Sequence, residues 1–180
     1  MRPPPYPADT LAKGWRLALN IQAVKASEAW LVARSGAIRG QILLMWSEAW
    51  QQAPCGTLPN DKKYIATLID VPLSAFLKNE AALMHGWWIA DDGRLYHEVL
   101  TEQALAMRHK RNQEYRKHRD AVMLKHGNAC VYCNAVDREI TLDHVVSRHS
   151  GGSDHPDNLV PACRPCNSSK GAKSILEWIR

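Results

Sequence analysis

The sequence predicts an α+β protein with two modules that are joined by a basic helix. Six of the seven tryptophans precede residue 100, whereas four of the five cysteines follow it. The first part combines helical periodicity with a hairpin pattern, and the last part has strand-like segments between two C-x2-C pairs. We therefore place the domains at residues 1–100, 101–125 and 126–180.

Composition excludes two broad classes of protein. The 180 residues are 46% hydrophobic and 23% charged, which is typical of a globular chain and not of a disordered one. No apolar run approaches the roughly 20 residues that a bilayer crossing needs, so a transmembrane protein is excluded. Prolines occupy the N-terminal positions where a secretory signal has its apolar region. We therefore expect a cytoplasmic protein. Its cysteines are expected to be free thiols or metal ligands, in preference to disulfides.

Three helices are predicted for the first module. Apolar residues at three- and four-residue steps in 38–49 indicate a helix with one buried stripe, which ends before Pro54. Segments 60–69 and 74–84 predict two shorter helices, because each begins at a residue that can cap a helix and Pro72 breaks the chain between them.

A hairpin is predicted after these helices, within residues 87–99. Its two strand-like runs flank a turn in which Gly93 can adopt the positive φ that the turn needs. One of Trp87 and Trp88 should be buried and the other exposed, because neighbouring strand residues face opposite sides. Helices followed by a hairpin form a winged-helix pattern. The proline-rich residues 1–7 should form an extended, poorly anchored arm.

Five short motifs of the first module carry a resemblance of their own. They are Tyr6-Pro7, residues 36–38, Trp50, residues 56–61 and residues 92–97. Together they resemble a family of phage and prophage proteins that has a winged-helix-like N-terminal domain. The resemblance implies association with DNA or the replisome in a phage setting, and no catalysis by this module.

The segment that joins the modules is strongly basic. Residues 108–125 hold seven basic and two acidic residues, so their charge equals the +5 of the whole chain. Tyr115 is the only large apolar residue between Met107 and Ala121, which predicts a solvent-exposed helix. A solvated spacer and an arm that contacts phosphates both fit this pattern. The candidate nucleic-acid contacts are Arg108, Lys110, Arg111, Arg116, Lys117 and Arg119.

Two C-x2-C pairs predict a zinc site in the last module. Cys130 and Cys133 form the first pair, and Cys163 and Cys166 form the second. Each pair can supply two thiolates to a tetrahedral Zn²⁺. A single C-x2-C motif can be a redox motif, but no thioredoxin-like βαβ pattern surrounds either of these two motifs. Cys55 has no partner pair and is left out of the site.

The 29 residues between the cysteine pairs predict a strand, a loop and a second strand, and a helix follows them. Asp143 and His144 close the first strand, residues 151–154 form a glycine-containing loop, and Asn158 opens the second strand. Asn167 comes directly after the last cysteine. This order resembles the HNH endonucleases of the His-Me finger, or ββα-metal, group, in the subfamily with four zinc-binding cysteines.

The chain follows the HNH variant with an asparagine, Asn167, at the last position, and it departs at Ser147, where many relatives have proline. The resemblance implies metal-dependent cleavage of DNA phosphodiester bonds. Each site would make one nick, leaving a 3′-hydroxyl and a 5′-phosphate. The implied cofactors are a structural Zn²⁺ and a catalytic Mg²⁺ or Mn²⁺.

The residue types suit that chemistry. His144 is the candidate general base, because an imidazole titrates near working pH. The oxygens of Asp143 and Asn167 suit a hard cation, and the resemblance assigns Asn158 to holding the loop that orients His144. Adjacent strand residues face opposite sides, so Asp143 and His144 can reach one site only from a bulge or a strand end. Further candidate phosphate contacts are Arg148, Arg164 and Lys170.

Two other functions stay open at this point. A non-catalytic DNA-binding or replication-associated phage protein can keep the zinc module as a scaffold, with Asp143 and His144 as a structural pair. A nuclease for RNA or branched DNA is the second alternative, because the chemistry at the phosphate does not distinguish one sugar from the other. The recognition sequence, the oligomeric state and the biological role are not predicted.

Overall fold

The computed structural model describes residues 2–179 and divides into two units. The first unit ends at His109 and the second begins at Lys110. Met1 and Arg180, the outermost residues of the predicted first and last domains, lie outside the described part. No helix in residues 2–179 has the length and apolar character to cross a membrane. The predicted three-part domain division stays a prediction.

The first unit is mainly helical and has one small sheet. In this sheet the strand Arg94–His97 lies between Thr57–Pro59 and Trp87–Ile89, and both pairings are antiparallel. The elements are α1 (Ile21–Ala26), α2 (Glu28–Val32), α3 (Gly36–Trp50), β1 (Thr57–Pro59), α4 (Lys62–Leu68), α5 (Leu73–Lys78), α6 (Glu80–Leu83), β2 (Trp87–Ile89), β3 (Arg94–His97) and the first part of α7 (Glu98–His126).

The predicted hairpin is present as β2 and β3. Gly93 lies in its turn with a φ of 76°, a conformation that glycine adopts without a Cβ clash. Tyr96 at the centre of β3 is fully buried and is paired with Thr57 on one side and Trp88 on the other. Strand β1 was not predicted, because its three residues are too short a run to show alternation. The winged-helix assignment stays a prediction.

Two of the three predicted helices form largely as expected, and the third is divided. The Asp61 carboxylate caps α4 by accepting the amides of Lys63 and Tyr64, at 2.8 and 3.1 Å. The expected helix over 74–84 is two helices, because Asn79 leaves the helical conformation with a φ of −111°. Its side-chain amide donates to the Ala75 carbonyl at 3.0 Å, a local bond that competes with helix continuation.

The expectation of a poorly anchored N-terminal arm is wrong. Tyr6 is 3% exposed, and its hydroxyl donates to the carbonyl of Cys55 at 2.8 Å. The Arg2 guanidinium lies over the ring of Trp88, 5.5 Å from its centroid. Trp87 and Trp88 are both half-buried, contrary to the predicted alternation. Trp87 packs against His97, and Trp88 contacts both Tyr96 and Arg2.

The core of the first unit encloses a histidine. His97 is 4% exposed and lies between the rings of Trp46 and Trp87, with centroid separations of 4.7 and 5.2 Å. Its Nδ1 accepts the amide of Val99 at 3.2 Å, and its Nε2 has no hydrogen-bond partner among the described residues. Burial lowers the pKa of His97 to about 4, so the folded unit holds this ring in the neutral state at neutral pH.

We expect the first unit to lose stability as the pH falls from about 6.5 to about 4. In that window the unfolded chain protonates His97 and the folded chain does not, so protons favour unfolding. The difference between the two pKa values corresponds to about 3 kcal/mol. Urea unfolding followed by tryptophan fluorescence at several pH values measures the loss. His97→Phe should flatten the pH dependence; an unchanged slope in that variant would exclude His97 as its source.

The second unit contains the end of α7 and a small sheet that is followed by a helix. Val122 on α7 is fully buried, and the Arg119 guanidinium donates to the Ile140 carbonyl at 2.7 Å. The apolar core is small: its buried members are Cys130, Ile140, Ala162 and Cys163. The remaining elements are β4 (Ile140–His144), β5 (Leu159–Cys163), α8 (Arg164–Lys170) and α9 (Ile175–Trp178).

Candidate active site and zinc centre

The four cysteines of the two C-x2-C pairs converge on one point. All four sulfur atoms lie within 4.8 Å of one another. The sulfurs of Cys133 and Cys163 are 3.7 Å apart, whereas a disulfide requires about 2.05 Å. Bonds of about 2.3 Å at tetrahedral angles around Zn²⁺ separate two sulfurs by about 3.8 Å. The cluster therefore fits a structural zinc ion, as predicted.

The electrostatics of the cluster also favour a cation. Burial opposes ionisation of Cys130, but backbone N–H groups of the two knuckles outweigh it and lower its pKa to about 6. Burial and hydrogen bonds with the neighbouring thiols instead raise the pKa of Cys166 to about 12. The cluster thus favours a thiolate at Cys130 and opposes one at Cys166. A divalent cation removes this conflict, because it stabilises several thiolates at once.

The hairpin β4–β5 presents Asp143 and His144 in regular antiparallel register. Asp143 is opposite Val160 and His144 is opposite Leu159. His144 is the last residue of β4, so the strand ends at this pair, and the register shows no bulge. The two side chains accordingly lie in different surroundings. Asp143 is 4% exposed, whereas the His144 side chain is 20% exposed.

The Asp143 carboxylate is fully engaged by protein groups. The Lys170 ammonium lies 3.1 Å from Oδ1 and 3.0 Å from Oδ2. The Tyr132 hydroxyl donates to Oδ2 at 2.6 Å. Burial, followed by the bond to Asp143, raises the pKa of Tyr132 well above its ordinary value, so the hydroxyl keeps its proton and remains a donor. Both oxygens of Asp143 therefore contact protein donors, and the carboxylate is shielded from solvent.

On its solvent side, the His144 ring contacts an acidic residue, Asp154, and a basic residue, Arg148. Its Nε2 lies 2.7 Å from the Asp154 carboxylate, and Arg148 Nε lies 2.7 Å from the same oxygen and 3.2 Å from His144 Nε2. Although burial raises the pKa of Asp154, the bonds from His144 and Arg148 outweigh it and lower that pKa. An ionised carboxylate only accepts, so the 2.7 Å contact with Asp154 places a proton on Nε2, and the Arg148 Nε–H then donates to Asp154 and not to His144. When the ring is neutral, Nδ1 is its basic nitrogen, and Nδ1 has no hydrogen-bond partner among the described residues.

Asn158 binds the loop that follows His144. Its amide nitrogen donates to the carbonyls of Val146 at 3.0 Å and Ser153 at 2.8 Å. Its amide oxygen accepts the Val146 N–H at 2.9 Å. Gly152 allows this close approach, because a Cβ there would collide with the carbonyl of Val146. The loop is thus held at both of its sides by one side chain.

We expect Asn158→Ala to loosen this loop and to slow catalysis. Three hydrogen bonds are lost, each with a net value of about 1 kcal/mol, and a small displacement of His144 lowers the rate by about tenfold or more. Hydrogen exchange at the Val146 amide and the nicking rate measure the two effects. Asn128→Ala, at an exposed position, is the matched control. Unchanged exchange and rate in Asn158→Ala would contradict the role.

The surroundings of Asp143, one of the two predicted cation ligands, do not fit a divalent ion in this arrangement. Asp143 is enclosed, and its oxygens already contact the Lys170 ammonium. The Asn167 amide nitrogen donates to Thr141 Oγ1 at 3.0 Å and to the Leu142 carbonyl at 3.2 Å. Asn167 thus docks α8 on β4 through its amide nitrogen.

The predicted phosphate contacts have different surroundings. Arg119 is tied to the Ile140 carbonyl, Arg148 is held by Asp154, and Arg164 lies 3.3 Å from Glu139 on the surface. Lys170 is 1% exposed, so a direct phosphate contact of its ammonium does not fit the structure. The other basic residues are on α7 and are exposed or half-buried: Arg108, Lys110, Arg111, Arg116 and Lys117.

An antiparallel hairpin followed by a helix, with four cysteines at one point, defines the second unit as a zinc-clamped ββα module. The family model described as HNH endonuclease matches residues 130–173, which include all four cysteines. This part of the chain is therefore an HNH region, as the sequence predicts, and it supports a nuclease-type function in general. No curated protein and no solved structure matches the chain. The predicted phage family of the first module stays a prediction.

Three contacts of the site were missed by the sequence analysis. Asp154 was placed only in the glycine-containing loop, Tyr132 was given no role, and Lys170 was predicted to contact phosphate. Each acquires its role through a contact with a residue 10 to 27 positions away. The one available signal was the short polar loop itself, since residues at its base must face the end of β4.

Proposed function

We propose that the chain is an endonuclease that cleaves DNA phosphodiester bonds, one strand per active site. The observation that carries this proposal is the half-buried His144 at the end of β4, with its Nε2–H held by Asp154, in a region that matches the HNH endonuclease family. A histidine oriented by a carboxylate has the arrangement of a general base whose tautomer is fixed.

The protein groups support the following division of work. Asp154 fixes the His144 tautomer, so Nδ1 can take a proton from the attacking water. The resulting imidazolium is stabilised by the same carboxylate. Arg148 lies beside both and is 66% exposed, so its free N–H groups can reach a phosphate oxygen. Asn158 keeps the loop between them in place.

The exposed basic residues of α7 support DNA as the substrate. Arg116 and Lys117 are exposed on a helix of 29 residues, which is about 44 Å long. Such a row of charges attracts a polyanion and binds it without regard to sequence. Together with the phage-like motifs of the first module, it supports a phage or prophage nuclease that acts in the reducing cytoplasm of a bacterial host, where thiolates persist.

Incubation of zinc-loaded protein with supercoiled plasmid tests the proposal. Mg²⁺, Mn²⁺ and other divalent ions are added in separate series at several salt concentrations, with a chelator series that leaves the tightly held zinc in place. Open-circular DNA with 3′-hydroxyl and 5′-phosphate ends is the expected product. The series also tests the predicted requirement for Mg²⁺ or Mn²⁺.

Absence of nicking under every metal and salt condition would favour the rival function, a non-catalytic DNA-binding protein that uses the zinc module as a scaffold. Matched duplex, single-stranded, branched and RNA substrates separate a DNA nuclease from one that prefers RNA or junctions. Faster cleavage of RNA or of a junction than of duplex DNA would correct the proposed substrate and not the chemistry.

A further inference from the structure

Lys170 is the only buried lysine within residues 2–179. Its side chain is 0% exposed, and its ammonium contacts both oxygens of Asp143 at 3.0 to 3.1 Å. The same ammonium donates to the backbone carbonyl of His144 at 2.8 Å. Both hydrogen bonds of the ammonium and its ion pair are thus made with the last two residues of β4.

Tyr132 completes this network from the other side. It lies between the zinc ligands Cys130 and Cys133, and its hydroxyl donates to Asp143 Oδ2 at 2.6 Å. Its ring is packed edge-on against Trp178, with centroids 5.0 Å apart. The Asp143 carboxylate is therefore held between the first zinc knuckle and α8.

We propose that Asp143 is a positioning residue in this chain and not a ligand of a catalytic cation. Its carboxylate, neutralised by Lys170 and fixed by Tyr132, holds the end of β4 against α8 and so sets the direction of His144. This inference rests on the proposed function, because it takes His144 as the reacting base.

Charge and space argue against a cation at the same carboxylate. An ion bound at about 2.1 Å from an Asp143 oxygen would lie within about 5 Å of the Lys170 ammonium. Little water would screen the repulsion between the ion and the ammonium, because the Lys170 and Asp143 side chains are at least 95% buried. Removing only one member of such a pair leaves a buried charge without a partner, which is strongly destabilising.

The contacts of Asn167 also indicate that this face of α8 has a structural role. It lies one helical turn before Lys170 on α8, so the two side chains share one face of the helix. Both donate to β4, Asn167 to Thr141 and Leu142, and Lys170 to Asp143 and His144. This face of α8 is thus used to dock the helix on the strand.

Mn²⁺ binding by the zinc-loaded full chain tests the ligand question independently of catalysis. The amplitude of the free-Mn²⁺ electron paramagnetic resonance signal gives the bound fraction for wild type and Asp143→Asn, with and without duplex DNA. We expect the two proteins to bind Mn²⁺ within twofold of each other, including the case of no binding in either. A tenfold or greater weakening in Asp143→Asn would overturn the proposal.

A double-variant rescue tests the positioning role. Lys170→Met leaves Asp143 unpaired, and the midpoint of heat-induced zinc release should fall by more than about 10 °C. Asp143→Asn with Lys170→Met removes both charges and should restore most of that midpoint. The nicking kcat should also return to within tenfold of wild type, with KM unchanged throughout.

The rescue separates a metal-binding role of Asp143 from a positioning role. If Asp143 bound the catalytic cation, removing Lys170 would not restore the activity that Asp143→Asn loses. A double variant that regains zinc retention and still nicks at least 100-fold more slowly than wild type would overturn the proposal. If the wild type itself does not nick, the proposed function fails, while Mn²⁺ binding and zinc release still decide whether Asp143 is a ligand or a partner of Lys170.

Discussion

Replacement of His144 by alanine is expected to lower the nicking rate by at least about 100-fold, because general-base catalysis contributes about 10²- to 10⁴-fold. The His144 side chain contacts Asp154 and Arg148 at the solvent side of β4, and it is not part of the apolar core. The variant should therefore fold, retain zinc and bind DNA as the wild type does. Plasmid nicking measured beside zinc content and DNA affinity checks all three expectations.

His149→Ala is the matched control for this experiment. His149 is an exposed histidine in the adjoining loop, five positions further along the chain, so its loss should leave the nicking rate unchanged. Added imidazole should restore part of the rate of His144→Ala, because it can enter the space that the ring leaves and accept the proton. A His144→Ala protein that nicks at the wild-type rate would reject the role of general base.

Replacement of Cys130 or Cys166 by serine is expected to unfold the second unit. A structural zinc site contributes folding free energy of order 10 kcal/mol, and the apolar core beside it is small, because only four buried residues form its cluster. The loss should appear as absence of bound zinc and as fast hydrogen exchange throughout β4 and β5. Strong chelators at elevated temperature should have the same effect on the wild type.

Cys55→Ala is the control for the zinc variants, since Cys55 lies in the first unit and outside the cluster. It should keep one zinc ion per chain and the nicking rate of the wild type. The first unit should stay folded in all of these variants, as measured by tryptophan fluorescence. A Cys130→Ser or Cys166→Ser protein that keeps protected strands and cuts normally would show that the cluster is not what holds the module together.

The sequence predicts the zinc cluster and the hairpin well, because both depend on local spacing. Two C-x2-C pairs can bring four sulfurs together only if the segment between them returns on itself, and residues 140–144 and 159–163 have the apolar character of paired strands. The cap at Asp61 and the turn at Gly93 follow from local backbone chemistry for the same reason.

The parts that were not predicted depend on contacts between distant residues. Charge patterning treats every lysine near the site alike, and it cannot separate the enclosed Lys170 from the exposed Lys117. Motif matching assigns Asp143 by its neighbours in sequence, whereas the structure surrounds it with Lys170 and Tyr132. The arm was misjudged in the same way, since the anchor at Tyr6 is a carbonyl 49 positions away.

The small core of the second unit has a consequence for the order in which the protein matures. Two of the four buried side chains in its core cluster belong to cysteines of the metal site, so we expect apolar collapse alone to be too weak to fold the unit. Cys163 leaves the ribosome well after Cys133, with 29 residues between them, and the ion can bridge the pairs only once both have emerged. A cell that withholds zinc would thus accumulate chains whose first unit is folded and whose second unit is not.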